Sequence, residues 1–157
     1  MVDMKEIDLV TKINIYQYIE LSDKDKNLIA KSKEAQDGAY APYSKFYVGA
    51  AVECAGDIVK GSNQENEAYP SGMCAERVAL FSASAKYPMA TIDSIVISAY
   101  DKSRGEEVLA FPCGACRQVL LEYEKRQNTP IRIIVYAKDE AYVIESAKSL
   151  LPLSFSM

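Results

Sequence analysis

Histidine is absent from the 157 residues. With it go the usual general base, the usual proton shuttle and the commonest zinc ligand. Ser-His-Asp and Cys-His nucleophile machinery are excluded outright. Hydrolytic chemistry here must run through Cys, Asp, Glu, Lys or Tyr, and metal ligation must draw on thiolates and carboxylates. Positive charge is also in short supply: 18 Lys and Arg against 22 Asp and Glu give a net charge of -4 and a pI near 5.0. That leaves no basic footprint for DNA or RNA, and a small neutral substrate fits better. No apolar run approaches the roughly 18 residues of a membrane span. The charged start Met1-Val2-Asp3-Met4-Lys5-Glu6 lacks the apolar stretch and small-residue cleavage site of a secretory leader. The expected compartment is therefore the cytoplasm, where four cysteines are thiols or metal ligands rather than disulfides.

What is present suits one enzyme domain over residues 1–157. At this length about two thirds of the unfolded surface can be buried, and a 49% hydrophobic composition supplies the core. No repeats, linkers or low-complexity tracts divide the chain. Residues 1–21 form an N-terminal extension whose β-branched and aromatic alternation predicts a strand over roughly residues 9–19. Ser22-Asp23-Lys24-Asp25 predicts a helix N-terminus, and Leu28, Ile29, Ala30, Ala35 and Ala39 carry that helix to Asp37-Gly38. Phe46 to Val52 and Ile58 to Ser62 predict a hairpin turning at Gly56-Asp57. Helices follow at Ala75 to Tyr87 and Cys113 to Lys125, and strands at Ile92 to Tyr100, Ile131 to Ala137 and Ala141 to Ile144. Residues 101–107 predict a charged loop, and Ser146 to Leu151 a short helix. The alternation predicts an α/β fold, a three-layer α/β/α sandwich with a mixed central sheet and an extra N-terminal strand.

The chemistry concentrates at Met73-Cys74-Ala75-Glu76-Arg77 and Phe111-Pro112-Cys113-Gly114-Ala115-Cys116-Arg117. Cys113 and Cys116, three apart on a helix, share one face with Cβ atoms about 5–6 Å apart. That spacing suits two ligands of a tetrahedral zinc, and Cys74 at the mouth of another helix can supply a third thiolate. The fourth position then stays open for water. Glu76 is close enough to reach that water and awkwardly placed to act as a ligand, which describes a hydrolytic centre. Two other accounts compete. Cys54 could close a four-thiol structural site, although it sits in a predicted strand outside any short motif and leaves Glu76 without a task. Cys113 and Cys116 could form a redox dithiol, which ignores Cys74.

The same residues carry a resemblance. Tyr40-Ala41-Pro42-Tyr43-Ser44-Lys45-Phe46-Tyr47-Val48-Gly49, Asn63-Gln64-Glu65-Asn66, Cys74-Ala75-Glu76-Arg77, Pro112-Cys113-Gly114-Ala115-Cys116-Arg117-Gln118 and Leu150-Leu151-Pro152-Leu153-Ser154-Phe155 resemble, in order and spacing, the small three-Cys cytidine deaminases. The resemblance covers roughly Tyr40 to Phe155. It implies one Zn2+ per chain on Cys74, Cys113 and Cys116, with Glu76 as the acid–base group. It also implies hydrolysis of cytidine or deoxycytidine in pyrimidine salvage, and a homotetramer. Phe46 would pack on the pyrimidine, Asn63 and Glu65 would bind the sugar hydroxyls, and Tyr69 and Phe155 would reach a neighbouring subunit's site. The Ala75 N–H and a carbonyl near Cys113 would orient the base edge. Arg77 would donate to the sulfurs, which matters because three thiolates leave the zinc shell at a charge of -1 and hold the pKa of bound water up. Arg117 carries no assigned role and reads equally well as a surface charge. Glu67 and Pro70 depart from the usual residues of the loop beside the sugar.

Overall fold

The computed structural model describes residues 4–155. Ser22 starts the first helix as predicted, its hydroxyl accepting from the Asp25 N–H at 3.1 Å. In chain order the elements are β1 (Asn14–Gln17), α1 (Asp23–Ala35), β2 (Phe46–Cys54), β3 (Asp57–Ser62), α2 (Ala75–Lys86), β4 (Ile92–Asp101), β5 (Glu106–Val108), α3 (Gly114–Gln127), β6 (Arg132–Ala137) and β7 (Glu140–Ile144). The strands form one mixed sheet in the order β1-β7-β6-β4-β2-β3, with β5 also paired to β4. Only β4 and β6 run parallel.

Alternation along the central strands decides the layers. Ala50 and Val52 of β2 and Ile95 and Ile97 of β4 join Ala79, Leu80 and Leu120 from α2 and α3 in one core cluster. Ala51 and Val96, one residue out of phase, join Leu28 and Ile29 of α1 in a second cluster on the opposite face. Because both faces are covered, these strands read as near-continuous apolar runs. The architecture is the expected α/β/α sandwich. Each fully buried Leu in it contributes about 1.5–3 kcal/mol of transfer free energy.

Two glycines set how closely the helices approach the sheet. A Cβ on Gly49 would lie 1.9 Å from the Ser32 carbonyl oxygen of α1. A Cβ on Gly61 would lie 2.4 Å from the Ala79 nitrogen and 2.7 Å from the Ala75 oxygen of α2. Backbone cannot rotate out of the way, so even alanine at position 61 must lift α2 off β3 and displace Cys74 with it. The far end of α2 is pinned to the start of β3, where Asp57 accepts from Lys86 Nζ and the Tyr87 hydroxyl at 2.8 Å each. Chain direction does the rest. α2 follows β3 and α3 follows the β4–β5 hairpin, so both helices begin beyond the carboxyl ends of strands, where open α/β sheets hold their ligands.

The N-terminal strand is shorter than the predicted 9–19. Only Asn14–Gln17 pair, antiparallel to β7. Gln17 and Glu20 then cap one another reciprocally and turn Tyr18–Glu20 into a 3-10 helix, while Leu9 and Val10 stay exposed at 55% and 85%. The residues 101–107 loop is also corrected, since Glu106 and Glu107 pair with Asp101 and Tyr100 as β5. Two acidic residues in succession hide a strand that Lys33 and Lys138 stabilise from outside the segment. The hairpin turns at Ala55 and Gly56, both at positive φ, one residue earlier than predicted. The expected helix at 146–151 is a 3-10 turn, Ala147–Leu150.

Candidate active site

Cys74 is the N-cap of α2 and Cys113 the N-cap of α3. Neither thiol caps the backbone of its own helix, and the two sulfurs face each other 3.8 Å apart. Cys116, one turn into α3, is fully buried and lies 3.5 Å from the Cys113 sulfur. All three sulfurs lie within 4.8 Å of one another. A tetrahedral zinc with Zn–S bonds of about 2.3 Å spaces its sulfurs about 3.8 Å apart, so this donor set fits zinc with one position left over. Cys54 is absent from the group and packs in the core beside Val52.

The electrostatics favour thiolates. Two helix N-termini, each worth roughly half a positive charge, point at the cluster. Hydrogen bonds from Cys116, Arg77 and Cys113 hold the Cys74 thiol down at about 5. The bond to Cys74, then burial, push Cys116 the opposite way. These opposed shifts belong to the coupled pair rather than to two independent acids. A bound cation would displace the thiol protons. Arg77 donates from Nη2 to the Cys74 sulfur at 3.6 Å. Cys74, then Cys116, drive its pKa still higher. Its Nε is buried without a hydrogen-bond partner among the described residues.

Glu76 is 5% exposed, in the first turn of α2. Burial pushes its carboxyl up, while its own backbone N–H pulls the other way. It meets a pocket of about 1100 Å³ together with Cys74, Cys113 and Arg77. The same pocket is lined by Phe46, Asn63, Glu65, Tyr69 and Ala75, all named from the sequence. The Asn63 amide bridges to β2, its Oδ1 accepting from the Val48 N–H at 2.8 Å and its Nδ2 donating to the Phe46 carbonyl at 2.9 Å. One amide N–H remains for a ligand. Glu65 Oε2 accepts from the Tyr43 and Ser44 N–H groups at 3.0 and 3.2 Å. Burial opposes ionisation, yet the Ser44 side chain and these N–H groups hold the Glu65 carboxyl below its usual range.

Phe155 is not brought to this pocket. It is 73% exposed, and its carbonyl accepts from Lys125 at 3.4 Å. Of the carbonyls beside Cys113, Pro112 O and Cys113 O each accept one bond from Arg117, and each keeps a second lone pair. Ala110, Phe111 and Cys113 line the pocket there. The sequence reading also missed Ile97 and Met73. Met73 and Gln64 exchange two backbone bonds of 2.8 Å, clamping the loop of residues 65–72 shut beside Cys74. No local pattern announces a bridge of that kind.

Fold and site together define a zinc-binding hydrolytic centre at paired helix N-termini of an α/β/α sandwich. Residues 22–129 match the model of the cytidine and deoxycytidylate deaminase zinc-binding region. The chain belongs to that family. A cytidine deaminase of Halalkalibacterium halodurans is 42% identical over 96 residues, covering 60% of this chain and 68% of that protein. The crystal structure of cytidine deaminase from Burkholderia pseudomallei superposes with a TM-score of 0.69 at 36% identity, over 83% of this chain and 98% of the other. That from Mycobacterium tuberculosis gives 0.65 at 30% identity, over 87% and 99%.

Serine at position 74, 113 or 116 is expected to lower zinc content and thermal stability together, whereas Cys54→Ser leaves zinc unchanged. Metal analysis of the four purified variants checks this, and zinc loss in Cys54→Ser would restore the four-thiol account.

Proposed function

We propose that this chain deaminates cytidine and deoxycytidine, with one water consumed and uridine or deoxyuridine and ammonia released, as a step of pyrimidine salvage. The observation that carries the reading is a buried carboxyl, Glu76, beside three converging thiols in a chain of the deaminase family. Cys74, Cys113 and Cys116 would hold one zinc per chain, and zinc bound there supplies a Lewis acid that makes water a nucleophile near neutral pH. Glu76 takes a proton from the attacking water and delivers it to ring N3 as C4 is attacked. It then takes the proton of the new C4 hydroxyl, which becomes the carbonyl, and passes it to the amine, which departs as ammonia. Its burial supports this, since a carboxyl raised toward the working pH exchanges protons in both directions.

Phe46 packs on the pyrimidine, and the Ala75 N–H and a carbonyl near Cys113 orient its polar edge. Asn63 and Glu65 bind the sugar hydroxyls, one with its spare amide N–H and the other with its carboxylate. Arg77 draws charge off the sulfurs. A charge-assisted bond of this type is worth about 1.5–3 kcal/mol. The whole chain acts as one domain, in the cytoplasm and as a homotetramer. Tyr69 and Phe155, 91% and 73% exposed, then reach across subunit boundaries. Among the described residues no helix is long and apolar enough to cross a membrane.

Glu76→Gln should retain zinc and fold while kcat falls by about 10²–10⁴. Loss of cytidine absorbance on turnover measures it, and near-native kcat would remove Glu76 from the mechanism.

Substrate form follows from the charges in the pocket. Glu65 and Glu67 line it, and the Arg77 cation is engaged with Cys74. A carboxylate about 5 Å from a phosphate, at an effective dielectric near 20, repels it by about 3 kcal/mol before screening. CMP should therefore show kcat/KM about a hundredfold below cytidine, and Glu65→Gln should lose cytidine activity. Equal rates on cytidine and CMP, unchanged in Glu65→Gln, would contradict a sugar-facing Glu65.

A further inference from the structure

Arg117 sits in the first turn of α3, where a cation opposes the helix dipole. A surface arginine would point away from that end. This one folds back over it. Its Nε donates to the Pro112 carbonyl at 2.8 Å, and its Nη1 reaches the Leu150 carbonyl at 3.4 Å. Its backbone N–H donates to the Cys113 carbonyl at 2.9 Å, the first bond of the helix. Pro112 is buried and has no N–H of its own with which to anchor the turn.

The carbonyl of Leu150 lies in the last turn of the Ala147–Leu150 segment. That segment is itself fixed from α3. Glu124 accepts from the Ala147 N–H at 2.7 Å and the Lys148 N–H at 3.3 Å. The Leu150 oxygen is thus a rigid point, and the guanidinium spans from it to the peptide that carries Cys113. Cys113 needs such a brace more than its partners do. Cys116 is locked inside α3, and Cys74 is held by the Gly61 contact and by Arg77. Cys113 is an exposed N-cap whose thiol makes no capping bond to the helix backbone and meets only the neighbouring sulfurs.

We propose that Arg117 is a positioning residue for the metal site, clamping the Pro112–Cys113 peptide between α3 and the Leu150 carbonyl so that the Cys113 sulfur is held in ligand geometry. This rests on the three-thiol zinc reading and adds to it a residue outside the ligand set. The planar fork is what the task requires, because only it presents two N–H vectors at fixed separation to two carbonyls. Lysine keeps the charge and loses the fork. Methionine keeps the stem and loses both.

The test is zinc affinity, measured by competition with a chromophoric chelator well below the melting temperature, on native protein, Arg117→Lys, Arg117→Met and Asp25→Asn. The last breaks the Asp25–Arg132 ion pair of 2.6 Å on the opposite face and controls for general destabilisation. Both Arg117 variants should bind zinc about 10–100-fold more weakly, the usual effect of removing a group that orients a ligand. Asp25→Asn should keep native affinity at a comparable loss of thermal stability. Native affinity in Arg117→Lys would reduce the residue to a charge and overturn the clamp. Native affinity in Arg117→Met, or an equal loss in Asp25→Asn, would overturn it as well. If Arg117→Met fails to fold, the comparison of Arg117→Lys with Asp25→Asn decides. Cytidine turnover of the native protein, followed in parallel, keeps failure of the activity reading separate from failure of the clamp.

Discussion

Three sulfurs from two helices have to meet within one coordination sphere, and most of the structure is arranged so that they do. The requirement is geometric before it is electrostatic. Sulfurs 3.8 and 3.5 Å apart leave no room for a helix displaced by even a side-chain carbon. Gly61 is the clearest expression of that tolerance, since α2 lies so close to β3 that a Cβ cannot fit between them. Asp57 at one end and the Gln64–Met73 bridge at the other keep α2 in register. α3 is held from its own side by Glu124 and Arg117.

Charge balance is the second demand. Three thiolates on a divalent cation leave a net negative shell, which works against activating water. Without histidine the chain cannot lighten that shell by substituting neutral imidazole. It answers with two helix N-termini and with Arg77 on the Cys74 sulfur. Glu76 lies beside that shell, and the burial that raises its carboxyl also keeps bulk water away from it. The substrate pocket follows the same economy. Asn63 and Glu65 are fixed by backbone groups of residues 43–48, so the two groups proposed for the sugar are also those that close the loop onto the sheet.

Much of this was legible in the sequence, for identifiable reasons. The C-x-x-C step fixes two sulfurs by helical geometry alone, and Cys74-Ala75-Glu76 places a third sulfur and a carboxyl on one N-terminal turn. The core strands declare themselves because both faces are buried, so Ile92 to Tyr100 and Ile131 to Ala137 carry little polar interruption. What escaped was non-local. β5 is acidic and forms because Lys33 and Lys138 stand opposite it. The N-terminal extension has the apolar content of a long strand, but β7 offers a partner to only four of its residues. Arg117 stays undecided in the sequence because Pro112 and Leu150, 38 residues apart, both have to be placed before its two bonds can be seen.

The account stands on a single zinc serving as the chemical centre rather than a structural staple. Stripping the metal with a chelator and returning zinc in sub-stoichiometric steps, while following cytidine loss, addresses that most directly. Turnover should be absent from the stripped protein and rise linearly to a break at one zinc per chain. Turnover that persists without metal, or a chain that takes up its zinc and still leaves cytidine unchanged, would contradict the account.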